Sequence, residues 1–248
     1  MSYFGSLLSR PPLGRRPRSG LMVVVLLMAV LLAPTPLFSE VESRFSLVAV
    51  GDALIHKGVY EAARKGKREF DFRPNIRLLR DRILSYDVAF YNQETILGGV
   101  DLGLSTYPCF NSPHEVGDAM LDAGFNLVSL ANNHTLDRGE KGVLASLEYW
   151  GAKDGVTTSG SFASQEEMDT PRLFEVNGIT CAFLAYTTMT NGLRAPKGKE
   201  YYVALYSAER AALDVERARE AGADVVIVSM HWGAEYTFTP GDQQKSIA

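Results

Sequence analysis

Two stretches of this chain decide its fold: Asp122-Ala-Gly-Phe-Asn-Leu-Val-Ser-Leu-Ala-Asn-Asn-His134 and Glu220-Ala-Gly-Ala-Asp-Val-Val-Ile-Val-Ser-Met-His231. Each predicts a helix end, a tight turn, a buried strand and then a histidine. Gly124 and Gly222 stand where a helix end favours a left-handed residue, and the apolar runs behind them suit strands covered on both faces. The two units predict an α/β fold with mostly parallel strands.

Two further apolar runs end in polar side chains: Val48-Ala-Val-Gly-Asp52, followed by His56, and Val88-Ala-Phe-Tyr-Asn92, followed by Gln93-Glu94. In an open parallel sheet the carboxyl ends of the strands meet at one edge. Four such endings therefore predict carboxylate, amide and imidazole groups around one crevice. We interpret this crevice as a metal or hydrolytic site.

The remaining elements follow from periodicity and turn residues. Asn177-Gly178 is a strong signal for a β-hairpin. Gly, Pro and small residues predict a loop over the site edge at 97–111. The predicted strands are 44–50, 88–92, 127–131, 172–176, 179–185 and 225–231, and the predicted helices are 59–67, 76–84, 114–123, 139–150 and 207–221.

Composition and charge limit the function. The chain has 248 residues, 46% of them hydrophobic, which is enough for a substantial core. Its net charge is −4, but the first 39 residues contain four arginines and no acidic residue, so the rest has 21 basic and 29 acidic residues. An acidic body argues against a nucleic-acid partner, because phosphate backbones are bound by clustered Lys and Arg.

Residues 1–39 have the pattern of a targeting segment, which divides the chain into this leader and a body at 40–248. Arginines precede the apolar block Leu21–Ala33, and Pro34 and Pro36 follow it. The pattern fits a cleaved signal or a retained membrane anchor, and we favour the anchor. The positive-inside rule then places the body on the extracytoplasmic side, anchored or secreted.

Several residues have a structural as well as a functional interpretation. Cys109 and Cys181 could form a disulfide or remain free thiols. Gly51-Asp52 alone is a common turn, and His114 alone predicts a surface residue. Asn132-Asn133-His134 is a poor choice for a core, since unsatisfied buried polar groups cost roughly 1–3 kcal/mol each. His231-Trp232-Gly233 with Glu235 similarly predicts a histidine beside a cleft wall.

As a set, these motifs resemble the bacterial capsule-synthesis proteins of the CapA or poly-γ-glutamate type (PGA_cap), relatives of calcineurin-like metallophosphoesterases. The resemblance covers roughly residues 45–248 and implies a metallophosphatase-like layered fold. The matching pieces are Gly51-Asp52-Ala-Leu-Ile-His56, Asn92-Gln-Glu94, Ala131-Asn-Asn-His134-Thr-Leu-Asp137 and His231-Trp-Gly-Ala-Glu235-Tyr236.

The resemblance also implies roles. Divalent cations, two ions drawn from Mn, Zn, Fe or Mg, would be held by Asp52, His56, Glu94, Asn133 and His231. Catalysis would fall to His134 with Asp137, and substrate binding to Asn92, Asn132, Trp232 and Glu235. His56 departs from the usual pattern, in which the first His follows the Asp by two residues. Glu94 between two cations would remain ionised.

The family pattern normally continues to a Gly-His-x-Pro-His-like segment, whereas this sequence stops at Ala248. We therefore expect the ligand set within these residues to be incomplete, in a chain that derives from a longer reading frame. The expected function is capsule or poly-γ-glutamate synthesis. The alternatives are a secreted metal-dependent phosphoesterase acting on another envelope substrate and a non-catalytic polymer-handling or assembly subunit. Partners would be an anionic polymer or phosphoester, and other membrane subunits of capsule synthesis. Because the body is acidic, contact with an anionic polymer would be local, through metal or residues such as Arg194, Lys197 and Lys199.

Overall fold

A computed structural model describes residues 42–248, so the predicted leader lies outside the described residues. Seven strands are present in this range: β1 (Leu47–Asp52), β2 (Val88–Asn92), β3 (Leu127–Ser129), β4 (Thr157–Ser159), β5 (Leu173–Val176), β6 (Ile179–Thr187) and β7 (Val225–His231). The α-helices of this range are α1 (Lys57–Ala62), α2 (Arg73–Ile83), α3 (Glu115–Asp122), α4 (Gly139–Gly151), α5 (Gln165–Asp169), α6 (Ala208–Glu220) and α7 (Asp242–Ile247). Within residues 42–248, no helix combines the length and apolarity that a membrane span requires.

The first sheet is parallel throughout, in the order β1-β2-β3-β4. Its central strands are buried, as their apolar sequences predict. β4 was not predicted, because Thr157-Thr158-Ser159 is a short polar segment without an apolar run. It pairs in parallel register with β3, so the strand is formed by backbone hydrogen bonds to β3 and not by a run of apolar residues.

The second sheet has the order β5-β6-β7. The predicted hairpin is confirmed: β5 and β6 are antiparallel, and Asn177 and Gly178 both have positive φ, as a type I′ turn requires. β7 pairs in parallel with β6 from Val225 to His231. The expectation of one open sheet with four converging strand ends is therefore wrong, because β7 belongs to a different sheet from β1, β2 and β3.

The two sheets pack face to face between helical layers. Val88, Leu127 and Phe183 meet in the cluster between the sheets, and the Phe90 and Phe183 rings approach to 6.0 Å. Apolar residues of α1 to α4 join a large cluster on the other face of the first sheet. Ala218 of α6 packs on Ala182 of the second sheet. This arrangement confirms a layered α/β fold with helices flanking the sheets.

β7 is less covered than its sequence predicts. We expected the run Val225-Val-Ile-Val to be buried on both faces, but every residue of the strand is partly exposed and Val228 is 47% exposed. The reason is its position: among the described strands β7 has a neighbour only on the β6 side.

Some helix limits also differ from the prediction. The first helix ends at Ala62 and not at Lys67, because the chain turns back through Lys65–Glu69 hydrogen bonds and returns Phe70 to the core. The predicted loop at 97–111 is confirmed. It is held from within by the buried Asn111 side chain, whose Oδ1 accepts from the Gly98 amide and whose Nδ2 donates to the Gly99 and Gly103 carbonyls.

Gly160 lies where β4 approaches the segment that carries Asn132 to His134. Its φ is +100°, and a Cβ there would lie 2.5 Å from the Ala131 Cβ. We expect Gly160→Ala to destabilise the protein by at least about 2 kcal/mol, through overpacking and a strained backbone. Thermal denaturation followed by circular dichroism measures the loss.

Gly151→Ala is the matched control, since a Cβ at Gly151 would meet no atom within 4 Å. Equal midpoints for the two variants would show that the contact with Ala131 is unimportant.

Candidate functional site

Asp52 and Asn92 end neighbouring strands and face each other in the ladder between β1 and β2. The Asn92 amide Nδ2 donates to Asp52 Oδ1 at 2.7 Å. Because Asn92 is buried and Asp52 is half exposed, the amide fixes a carboxylate whose free side faces solvent. The ladder thereby sets the position of Asp52.

His231 reaches the same place from the second sheet. Its Nδ1 lies 3.6 Å from Asp52 Oδ1 and 3.3 Å from Asn92 Nδ2, and its Nε2 lies 3.9 Å from Glu94 Oε1. The predicted meeting of these strand ends is therefore present, but it occurs between two sheets. Packing of one sheet on the other, and not strand order, brings His231 to Asp52 and Glu94.

The two carboxylates of the site differ in electrostatic environment. The neighbouring His231 imidazole lowers the pKa of Asp52. The hydrogen bond from the Asn92 amide lowers this pKa further, whereas partial burial acts in the opposite direction. Burial raises the pKa of Glu94, and the negative charge of Asp52 raises it further. A bound cation would relieve this repulsion and the cost of burying Glu94.

Asn133 carries an unsatisfied acceptor. Its side chain is buried, and among residues 42–248 its Oδ1 has no hydrogen-bond partner and its Nδ2 reaches only Asn191 Oδ1 at 3.4 Å. An unpaired buried oxygen is costly unless a ligand completes it. Asn133 lines the same cleft as Asp52 and Glu94, so its oxygen fits a cation.

Asn92 and Asn132 are not among the residues that line the cleft, and their substrate-binding role stays a prediction. The Asn132 Nδ2 donates to the Gln93 carbonyl at 2.9 Å and to Asn92 Oδ1 at 3.3 Å, and its Oδ1 accepts from the His134 amide at 3.0 Å. Their amide groups are thus occupied within the protein. Both residues brace the strand ends from behind.

His134 and Asp137 form a close pair. His134 Nδ1 lies 2.7 Å from Asp137 Oδ2, which also accepts from the Phe110 amide at 2.6 Å. The Asp137 side chain is 1% exposed. Because a carboxylate only accepts, Nδ1 carries the proton and Nε2 is left for a group in the cleft. Asp137 therefore positions the imidazole and does not itself line the cleft.

His56 lies on the rim of the cleft. Its ring is exposed and packs edge-on against Phe110, with centroids 5.0 Å apart, and Phe110 contacts the His134 ring in the same way at 4.8 Å. His56 is among the residues that line the cleft, but no hydrogen bond or ion pair joins it to Asp52, Glu94 or His231. Its predicted role as a ligand stays a prediction.

The cleft has a volume of about 470 Å³. Trp232 and Glu235 line it, in agreement with their expected location. Sequence reasoning missed four of its wall residues, which lie on loops where apolar side chains give no periodic signal: Tyr107, Phe110, Met189 and Tyr236. Two signals were available: Tyr107 and Phe110 belong to the loop predicted at the site edge, and Tyr236 ends the quoted motif that begins at His231.

Three other expectations concern residues outside the cleft. Both cysteines are free thiols, Cys109 exposed and Cys181 buried. His114 is not a simple surface residue, because its ring stacks on Tyr149 at 4.7 Å and its Nε2 lies 3.0 Å from the Leu97 carbonyl oxygen. Lys199, a candidate contact for an anionic polymer, pairs with Glu140, and its role toward a polymer stays a prediction.

Within residues 42–248, no three His, Cys, Asp or Glu side chains are arranged as a compact metal-binding group. The case for a cation therefore depends on chemistry and placement: two carboxylates, an imidazole and an unpaired amide oxygen around one cleft. This is a donor set that first-row divalent metals accept. The residues present fit such an ion.

The fold and site define a layered α/β protein with carboxylate, imidazole and amide groups converging at the strand ends. The chain belongs to the bacterial capsule synthesis protein family PGA_cap, whose model matches residues 46–248. The resemblance inferred from the motifs is thereby confirmed.

Two curated relatives are named for capsule or PGA biosynthesis. The capsule biosynthesis protein CapA of Bacillus anthracis is 23% identical over 94% of this chain, and the PGA biosynthesis protein CapA of Bacillus subtilis is 28% identical over 51%. The matched regions span 60% and 33% of those proteins. Among solved structures, an NAD nucleotidase of Haemophilus influenzae is similar over 77% of this chain and 34% of its own, with 15% identity and a TM-score of 0.47.

Proposed function

We propose that the cleft is a metal-dependent phosphoester-hydrolysing site that serves capsule synthesis. The observation that carries this proposal is the meeting of Asp52, Glu94 and His231 from two sheets, beside the unpaired Asn133 oxygen. Adjacent to this donor set is an imidazole whose proton position is fixed. Donors for a cation and a proton-transferring group in one cleft are the parts that assisted hydrolysis needs.

Asp52, Glu94, Asn133 and His231 would hold the ions, with His56 at the rim. Bound divalent ions supply a water of lowered pKa and polarise phosphoryl oxygens. His134 keeps its Nδ1 proton directed at Asp137, and in the imidazolium form the ring would carry a second proton on Nε2, which it would donate to the leaving oxygen or use to stabilise charge there. The side chains of the cleft wall, Trp232 among them, limit the access of water and orient the substrate.

The test is an assay of the full chain with a chromogenic phosphoester. We expect turnover with Mn, Zn, Fe or Mg, loss of turnover on chelation, and recovery when the metal is restored. Polymer binding without turnover under any metal would reject the enzyme and favour a non-catalytic polymer-handling subunit. Turnover of phosphoesters without any effect on capsule would favour the alternative of another envelope substrate.

The substrate of the intact pathway is proposed to be an anionic polymer such as poly-γ-glutamate, or a phosphoester intermediate of its synthesis. The relative from Bacillus subtilis is named for PGA biosynthesis. Because the body carries 29 acidic and 21 basic residues, long-range attraction to a polyanion is weak. Contact must then be local, through bound metal in the cleft and through other capsule-synthesis subunits in the membrane.

We propose that the body is extracytoplasmic, anchored by or released from the leader. The support is the order of four arginines and then the apolar block Leu21–Ala33. Alkaline phosphatase fused after residue 44 is expected to be active, because this reporter requires export. An inactive reporter together with a bright cytoplasmic fluorescent fusion would reject the proposal.

A further inference from the structure

The outward face of α2 combines apolar exposure with positive charge. Ile76 and Ile83 turn inward, and Ile83 is buried in the main core. Leu78, on the opposite side, is 87% exposed, and its neighbour Leu79 is 51% exposed. A surface helix normally places polar side chains at such positions. Two adjacent exposed leucines on one helix therefore require an explanation.

Among the described residues, the same face carries two arginines without an ion-pair partner, together with the exposed Asp81, which follows Leu78 by three residues. Among the described residues, Arg77 and Arg82 form no ion pair, whereas Arg73 and Arg80 are paired with Asp71 and Asp122. Arg82 follows Leu78 by four residues and Leu79 by three, so it shares their side of the helix. Its guanidinium lies 5.3 Å from the Tyr86 ring centroid.

The surrounding sequence strengthens this local charge. Residues 57–84 contain nine basic and four acidic residues, although the body of the protein has an acidic excess. Ion pairs of Arg68 with Asp101 and of Arg80 with Asp122, both outside this segment, offset two of the five excess charges, so three remain and form a locally positive region. Such a region selects a negatively charged partner.

We propose that this face of α2, formed by Arg77, Leu78, Leu79, Arg82 and Tyr86, docks on an anionic lipid bilayer. The leucines enter the boundary between headgroups and acyl chains, and the arginines contact lipid phosphates. Tyr86 suits the same boundary, because its ring is apolar and its hydroxyl polar. A soluble polyanion would satisfy the arginines but leave both leucines in water, which is why a bilayer is the favoured partner.

A fluorophore placed on the face tests this in the full chain. Leu78→Cys, made with Cys109→Ser so that the exposed native thiol is removed, is labelled with an environment-sensitive dye. The protein is reconstituted in vesicles of phosphatidylcholine alone or with phosphatidylglycerol. We expect a blue shift, and quenching by a lipid-borne quencher, only where phosphatidylglycerol is present.

Leu144→Cys is the matched control, because Leu144 is also an exposed helical leucine, 42% exposed, on α4. Since both positions are exposed, substitution spares the core, and both proteins carry the same leader. The dye at position 144 is expected to show neither effect. Adding Arg77→Gln and Arg82→Gln to the Leu78→Cys protein should reduce the ratio of docked to undocked protein by roughly thirtyfold, from the usual contribution of an arginine at an anionic surface.

Three results would overturn the proposal. Equal signals at positions 78 and 144 would show that the leader alone brings the body near lipid. A blue shift without lipid quenching that grows with protein concentration would assign the face to a second copy of the chain. A shift produced by soluble polyglutamate in the absence of vesicles would assign it to a polymer.

Discussion

Asp52→Asn is expected to abolish most metal binding. The change keeps the size of the side chain but removes the negative charge nearest His231 and next to Glu94. Loss of outer-shell partners alone costs about 10–100-fold in metal affinity, and we expect loss of a ligand to cost at least as much. Metal analysis after dialysis against a weak chelator, together with phosphoester turnover, measures the effect.

Asp101→Asn is the control for this substitution. Asp101 has an exposed carboxylate in a surface ion pair with Arg68, away from the residues that line the cleft. Its replacement should leave both metal content and turnover unchanged. Full metal content and full turnover in Asp52→Asn would show that Asp52 is not a ligand and would remove the central element of the proposed site.

The local sequence predicted those elements that depend on local chemistry. Gly124 and Gly222 both have positive φ, at the helix ends that their sequences indicated. Asn177-Gly178 forms the hairpin turn, because both residues tolerate the required backbone conformation. Strand ends were also predictable, since an apolar run that changes abruptly to polar residues marks the edge of a sheet.

The layer arrangement was not predictable in this way. A strand such as β7 has the same apolar pattern whether it lies in the sheet of β1, β2 and β3 or pairs with β6. Which neighbour it takes depends on long-range packing, here the contact of Phe183 with Phe90 between the sheets. The predicted proximity of Asp52 and His231 is nevertheless present, because the two sheets are stacked with their strand ends at the same side.

The roles of individual side chains were also not predictable from the sequence alone. Asn92, Asn132 and Asn133 look equivalent in sequence, yet hydrogen bonding occupies the first two and leaves the Asn133 oxygen unpaired. Only the geometry separates a bracing amide from an available one. The walls of the cleft come from loops, where no periodicity marks residues such as Tyr107 and Phe110.

His134→Ala is expected to reduce kcat by about 10²–10⁴-fold while leaving metal content unchanged, because general acid–base groups contribute on that scale. The informative result is the comparison with Asp52→Asn. We expect Asp52→Asn to lose metal, whereas His134→Ala loses turnover and keeps its metal. Metal loss in His134→Ala equal to that in Asp52→Asn would make His134 a ligand. Undiminished turnover would reject its role in proton transfer.

Asp137→Asn and His114→Gln complete this test. An amide in place of the Asp137 carboxylate could no longer hold the Nδ1 proton of His134 as firmly, so kcat should fall with little change in KM, as expected for a positioning residue that acts through His134. His114 is the matched imidazole outside the cleft, and its replacement should leave the turnover of folded protein unaltered. If Asp137→Asn changed KM alone, the pair would serve substrate binding, and the proton that transfers to the leaving oxygen would have to come from another group.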